Sequence, residues 1–397
     1  MNRNAASERR CRPATSEAFF SPVPRGLEEL LAEELRAFGA NELRPVPGGV
    51  EWHGDWLTCW RINLESRLAT RVLWRVGSGR YRGESDIYRL AHSLTWAKWF
   101  TPDETIRVFV TARQSPLKSL EFITLRIKDA VCDHFRAVCG SRPSVDTAHP
   151  MVRIHTFLDR NAVTLYLDTS GEPLYKRGFK PGTVEAPLKE NLAAGILRLS
   201  GWQPDEPLAD PMCGSGTFLI EAARIALGIA PGLGRQFAFE HLRGFDASAW
   251  ADIRKAAEAR RQPARTLHIH GSDIAGSQLR RARENLAAAG LESCVSLTKA
   301  DLLEYSPPAA SGVMVTNPPY GVRMGEAEEL EAFYSRLGDA LKQRWPGWRC
   351  YLLSADMNLP RAIGLKTGRR TPLFNGALEC RLFEYKMVAG SLRVPRQ

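Results

Sequence analysis

Several features are scarce in this chain. Its eight cysteines (Cys11, Cys59, Cys132, Cys139, Cys213, Cys294, Cys350 and Cys380) form no C-x-x-C pair, and no four of them cluster. That spacing gives little support to a zinc or iron–sulfur site and fits free thiols in a reducing cytosol. His53, His92, His134, His149 and His155 are scattered without ligand spacing, so no metal is expected. No apolar run approaches the ~18 residues that would span a bilayer. The N-terminus from Met1 to Glu17 is polar and Arg-rich, with no apolar core of a secretory signal. It reads as a frayed tail, and a cytoplasmic, non-membrane protein is expected. Internal repeats and low-complexity tracts are also missing.

What is present is ordinary globular composition. The 397 residues are 44% hydrophobic and 25% charged, enough for two or three domains. Lys plus Arg number 54 against 44 Asp plus Glu, a net charge of +10. The surplus weakly favours a polyanionic partner and is shared by both halves of the chain.

The first half has an α+β texture. A strand near Phe19–Ser21 precedes a helix from about Gly26 to Phe38, with Leu27, Leu30, Leu31, Leu35 and Phe38 at helical spacing and Gly39 placed as its C-cap. Val46–Trp52 reads as a turn entering a strand, and Asp55–Ala69 as a helix. Ile106–Thr111 is a strand and Leu120–Val138 an amphipathic helix. Val152–Leu158 and Ala162–Asp168 form a hairpin through Asp159-Arg160-Asn161. The Gly-, Pro- and Lys-rich segment Tyr175–Ala186 reads as a linker.

Beyond it, strands and helices alternate. Strands fall near Leu208–Asp210, Leu267–His270, Val295–Thr298, Gly312–Thr316 and Arg349–Leu353. Helices fall near Ala186–Leu199, Thr217–Leu227, Gln278–Ala289 and Glu328–Trp345. This is the pattern of a doubly wound α/β domain with a mainly parallel sheet. Near the end, Asn375-Gly376 is a favoured type I′ turn, so the last strand should join the sheet antiparallel.

Four pieces in this second half carry chemistry. The first is Asp210-Pro211-Met212-Cys213-Gly214-Ser215-Gly216-Thr217, between a strand and a helix, where open α/β sheets bind ligands. It lacks the Gly-Lys-Ser/Thr of a phosphate loop, and Leu219 stands where a dinucleotide fingerprint has its third glycine. A neutral or cationic ligand is therefore at least as plausible as a pyrophosphate. The second piece is Asp273, just past the next strand. It could accept bonds from two ribose hydroxyls or cap the following helix. The third is Asp301, which could accept a bond from an adenine amine or simply face solvent. The fourth, Asn317-Pro318-Pro319-Tyr320, is the sharpest. An exocyclic amine on an aromatic base is a poor nucleophile. The Asn317 amide oxygen and the Pro318 carbonyl can accept its two N–H bonds and hold nitrogen in line with an electrophilic carbon. Two prolines fix the turn, and Tyr320 offers a stacking face.

The ordered set DPMCGSGT, GSD, KAD and NPPYG resembles the class I S-adenosylmethionine-dependent methyltransferases that modify exocyclic amines of nucleic-acid bases. Lys176-Arg177-Gly178-Phe179, Glu185 to Leu192 and Phe374 to Cys380 narrow the resemblance to bacterial 23S rRNA guanine-N2 methyltransferases. Residues Ser115 to Ala130 resemble the THUMP domain of the same enzymes. The resemblance implies a Rossmann-like α/β methyltransferase domain at residues 187–390, with a mainly parallel seven-stranded sheet and an antiparallel last strand. It also implies a tail at 1–17, a ferredoxin-like subdomain at 18–70, a THUMP RNA-binding domain at 71–170 and a linker at 171–186.

By the same resemblance, Asp210, Pro211, Cys213, Gly214, Ser215, Gly216 and Thr217 would line the donor pocket. Asp273 would hold the donor ribose, Asp301 its adenine, and Asn317, Pro318, Pro319 and Tyr320 the target amine. In some bacteria such a module is fused to a second methyltransferase; here one activity is expected. RNA contacts are expected from Arg67, Arg71 and Arg75, spaced by four as one stripe if helical, and from Lys118, Arg126, Lys128 and Arg323. Alternatives are a tRNA guanine-N2 enzyme, a nucleic-acid adenine-N6 enzyme and a non-catalytic RNA-binding assembly factor.

Overall fold

A computed structural model describes residues 16–179, 188–319 and 327–388. The expected tail lies outside these residues up to 15, and Glu17 already begins the first strand.

The first half runs β1 (Glu17–Pro22), α1 (Glu28–Ala37), β2 (Asn41–Val46), β3 (Gly49–Gly54), α2 (Trp56–Glu65), β4 (Leu73–Arg80), α3 (Glu84–Ser93), β5 (Ile106–Arg113), α4 (Leu120–Cys139), β6 (Val152–Asp159) and β7 (Ala162–Asp168). Its strands form one sheet in the order β2-β3-β1-β4-β7-β6-β5. β6 alternates buried and half-buried residues along its whole length, as a strand with one face on a core must. The Ser119 side chain caps α4 by accepting from Phe122 N, and Gly140 ends it in the left-handed conformation at φ 71°. Because β1 pairs with β4, the ferredoxin-like strands and those of the THUMP-like region belong to a single sheet.

The helix expected over Asp55–Ala69 stops at Glu65. Ser66 takes an extended conformation (ψ 125°), and the Glu34 carboxylate accepts from the Arg67 and Leu68 N–H groups. The chain then leads into β4. Arg67, Arg71 and Arg75 therefore form no helical stripe, because one follows a helix end and the last lies on a strand.

The second half runs α5 (Glu190–Leu199), β8 (Leu208–Asp210), α6 (Thr217–Ala226), α7 (Ala247–Ala259), β9 (Ile269–Asp273), α8 (Gly276–Ala288), β10 (Ser296–Lys299), β11 (Gly312–Thr316), α9 (Ala327–Arg344), β12 (Trp348–Ser354), α10 (Leu359–Ile363), β13 (Arg370–Asn375) and β14 (Leu378–Lys386). The strand order is β10-β9-β8-β11-β12-β14-β13. The first five of these strands are mutually parallel, while β14 pairs antiparallel with β12 and β13. All five residues of β11 are buried, as a central strand covered on both faces requires. The β8–β11 junction is where the strand order reverses, the crevice in which such sheets bind ligands.

The two halves share one buried core. Leu27 of the first half fills the space beside Gly195 so closely that a Cβ there would sit 2.4 Å from Leu27 Cδ1. Trp60 stacks on Phe239 at 5.6 Å. Beneath these contacts lies a buried ion cluster. Glu221, fully buried on α6, sits 3.3 Å from Arg177 Nε and 3.9 Å from Arg67 Nη1. Arg67 Nη2 also donates to Ile229 O at 2.7 Å. No helix among the described residues is long and apolar enough to cross a membrane.

Candidate active site

The ends of β8, β9, β10 and β11 surround a cavity of about 620 Å³. Asp210, Pro211, Cys213, Gly214, Ser215, Thr217, Asp273, Asp301, Asn317, Pro318 and Pro319 all line it. Four motifs spread over more than a hundred residues therefore meet because parallel strands point their carboxyl ends the same way. Tyr320 and Arg323 lie outside the described residues.

The loop after β8 is tightly held. Cys213 N donates to Ser272 O at 2.9 Å, and Gly216 N to Cys213 O at 2.8 Å. Asn285 Nδ2, from α8, donates to Ser215 O at 2.9 Å. Gly214 and Gly216 both have positive φ, 52° and 81°. These left-handed values are the reason for glycine at both positions. At Gly214 a Cβ would meet no protein atom, so that backbone faces open space; at Gly216 a Cβ would sit 3.3 Å from Ala282 Cβ, and this glycine does not line the cavity.

Asp273 organises the loop as well as facing the cavity. Its Oδ2 accepts from Gly214 N at 3.0 Å and its Oδ1 from Ala275 N at 2.9 Å. A carboxylate has about four acceptor sites, so two remain for a ligand hydroxyl pair. It does not cap α8, whose N-cap is Ala275. Asp301 holds its own turn through Leu303 N at 2.9 Å.

Asp210 is 2% exposed. Burial pushes its carboxyl up to about 7 against the pull of the Thr316 hydroxyl and the Met212 N–H, and nearby Asp273 adds to the rise. Burial also pushes the Cys213 thiol well up, so it is no thiolate at neutral pH. Asn317 follows β11 directly, and its Oδ1 has no hydrogen-bond partner among the described residues. Tyr334 Oη on α9 donates to Pro319 O at 2.7 Å and pins the turn.

The far wall comes from Phe333 and Arg336 of α9 and from Asn375 and Leu378 of the last hairpin. The sequence marked Asn375 as a turn residue and as part of the Phe374–Cys380 stretch of the resemblance, but not as a site residue. Phe333 carried no signal beyond helical spacing, since only the tertiary fold turns it toward the cavity.

The basic residues expected to meet RNA separate into groups. Arg67 is spent on the ion cluster. Arg71 binds Asp168 and Gly171 O. Arg75 and Lys118 are exposed. Arg126 stacks on Tyr88 at 4.4 Å and Lys128 pairs with Asp129 at 2.7 Å.

A doubly wound sheet closed by an antiparallel hairpin, with glycine loop, carboxylates and Asn-Pro-Pro turn at its switch point, defines a class I methyltransferase. The "RMKL-like, methyltransferase domain" family matches residues 177–384, the THUMP domain 81–168 and the RlmL ferredoxin-like domain 18–73. The chain belongs to this RlmL-like family of RNA methyltransferases. It is 37% identical to the "Putative RNA methyltransferase slr0064" of Synechocystis sp., over 94% of this chain and 98% of that one. It is 39% identical to the Ribosomal RNA large subunit methyltransferase K/L of Shewanella amazonensis over 94% of this chain and 54% of that relative. The chain thus spans about half the length of the K/L relatives it matches. The crystal structure of SMU.472 complexed with SAH superposes with a TM-score of 0.86 at 28% identity, covering 96% of this chain and 100% of that one.

Proposed function

We propose that this chain transfers a methyl group from S-adenosylmethionine to the exocyclic N2 amine of a guanine in 23S rRNA. The observation that carries the reading is the Asn317 side-chain amide oxygen Oδ1, unsatisfied among the described residues, on a turn pinned by Tyr334 and in the same cavity as the Gly214 loop. An unsatisfied buried acceptor costs about 1–3 kcal/mol unless a ligand donor meets it, and an amine N–H is such a donor. RNA as the substrate is supported by the THUMP match and by the names of the relatives.

The residues present fit the donor. Asp273 keeps acceptor sites for a ribose, Asp301 lies at the next strand end, and Gly214 leaves its backbone face open. When bound, S-adenosylmethionine supplies an electrophilic methyl on a sulfonium sulfur. Asn317 Oδ1 and the Pro318 carbonyl accept the amine's N–H bonds and orient its lone pair. They also stabilise the positive charge that develops on nitrogen, and water takes the released proton. Cys213 stays a thiol and forms no covalent intermediate.

The test is nucleoside mass spectrometry of ribosomal and transfer RNA after incubation with protein and donor. N2-methylguanosine in the large-subunit RNA is expected. N6-methyladenosine, methylation confined to tRNA, or no methylation of either RNA would overturn the reading. Asn317→Ala should lower turnover about 10²–10³-fold, the cost of losing one such polar group. Its donor affinity should stay within about twofold of wild type.

A further inference from the structure

A second cavity, of about 470 Å³, lies where the two halves meet. Its walls are the start of β6 with Arg153, the connecting segment with Glu172 and Lys176, and the loop after α6 with Arg235 and Phe237. None of these side chains serves the methyl-transfer site. The volume lies within the ~300–1,000 Å³ range of small-ligand sites.

Its charge is unbalanced. Arg153, Lys176, Arg177 and Arg235 line it, and Glu172 is the acidic residue among its lining. Arg177 is turned away, toward Glu221 and the carbonyls of Leu174 and Arg67. Arg235 holds the connecting segment in place, donating to Pro173 O at 3.1 Å and Glu172 O at 2.5 Å, and lies over Phe237. Arg153 and Lys176 are left sharing one carboxylate, at 3.0 and 2.9 Å from Glu172. Burial first, and then the neighbouring Arg177, pull Arg235 down to about 10. Among the described residues lining the cavity no nucleophile is paired with a base, so the chemistry they offer is binding.

We infer that this cavity holds a phosphodiester-linked nucleotide of the substrate RNA, with Arg153 and Lys176 on the phosphate in place of Glu172. The inference rests on the RNA substrate proposed above. RNA is favoured over a free phosphate because the walls come from both halves of the chain. One is the THUMP-matched sheet; the other belongs to the domain that carries the methyl-transfer cavity. A strand that touches both walls would span this junction. Lys176, the first residue of the Lys-Arg-Gly-Phe sequence at 176–179, thereby acquires a role outside methyl transfer.

The experiment is fluorescence-anisotropy titration of large-subunit rRNA, transcribed in vitro, against the full chain and three variants at several salt concentrations. Arg153→Gln and Lys176→Gln should each weaken binding about 5–10-fold. Each should also flatten the salt dependence by about 0.7 in log–log slope, the value for one lost phosphate contact on a single strand. Glu172→Gln should act the other way and tighten binding a few-fold, because it removes the competing carboxylate. A purely structural role cannot produce that opposite sign.

Wild-type affinity in both cation variants would overturn the inference while leaving the methyl-transfer reading intact. Weaker binding by all three variants with a lowered melting temperature would also overturn it, as would equal competition by inorganic phosphate and by a ribo-oligonucleotide of the same phosphate concentration. A wild-type chain that binds no RNA would overturn both readings together.

Discussion

Asp210 should make donor binding depend on pH in a way that separates donor from product. With its carboxyl near 7 instead of 3.8, it is largely neutral at about pH 6 and largely ionised at about pH 8. S-adenosylmethionine carries a sulfonium charge; its demethylated product carries a neutral thioether there and is otherwise the same molecule. A cation in a poorly solvated cavity favours the ionised carboxylate. The donor Kd should therefore rise about tenfold between pH 8 and pH 6, about 1.4 kcal/mol, while the product Kd moves much less. Isothermal titration calorimetry of both ligands across that range measures this. Below pH 7 donor binding should also release a proton, seen as an enthalpy that depends on the buffer. Asp210→Asn should flatten the donor profile. Parallel donor and product profiles, or a slope that persists in Asp210→Asn, would refute the assignment.

The raised carboxyl has a consequence for stability too, with the opposite preference. The native state holds this proton more tightly than the unfolded chain does. The stability it confers is complete below about pH 4 and is lost as pH rises through about 7. At pH 8 the buried charge costs on the order of 4 kcal/mol, since each tenfold gain in proton affinity is worth about 1.4 kcal/mol. Asp210→Asn should consequently melt higher than wild type at pH 8 despite binding donor less well. Site and fold thus want different states of one carboxyl.

Two other substitutions test the scaffold. Glu221→Gln leaves Arg67, Arg177 and Arg224 around a neutral amide. Removing one member of a buried ion cluster costs about 3–5 kcal/mol, so the urea midpoint should fall markedly; an unchanged midpoint would show that the cluster contributes nothing. Gly271→Ala would place a Cβ 2.3 Å from Leu219 Cδ1, 2.8 Å from Leu297 Cδ2 and 3.4 Å from Cys213 Sγ of the Gly214 loop. Overpacking of this kind costs about 1–3 kcal/mol. Thermal unfolding should register that loss together with weaker donor binding, and an alanine variant with wild-type melting and affinity would contradict the packing.

The methyltransferase half was legible because its signals are local. A short apolar strand followed by a glycine turn or an Asn-Pro-Pro turn needs no knowledge of its neighbours, and Asn375-Gly376 marked the last hairpin by turn chemistry alone. The Arg67–Arg71–Arg75 stripe failed because its premise was a continuing helix. What ends that helix is Glu34, thirty-three residues earlier in the chain, which no periodicity at 55–69 could register. The ion cluster was illegible for the same reason: Arg67, Arg177 and Glu221 are brought together only by domain packing. α7 also went unnoticed, since only Trp250 and Ala257 of its thirteen residues are buried. The wall formed by Phe333, Arg336 and the hairpin could not be assigned either, because helical spacing does not say which cavity a helix faces.

The interface between the halves bears on specificity. Leu27 against Gly195, Trp60 against Phe239 and the Glu221 cluster set the THUMP-matched sheet against the methyltransferase at several separate points. A flexible tether would raise the local concentration of RNA without favouring one nucleotide over its neighbours. A docked front end does more, because a strand held at a fixed place presents only nucleotides at a matching distance to the Asn317 cavity. On the proposed activity, substrate choice would then depend on length and shape as much as on the edge of the base. On that logic, Glu221→Gln should broaden the set of methylated positions more than it lowers total methyl transfer, and mapping the modified sites in the products would show it. A single product site at reduced yield would argue that the docking serves stability alone.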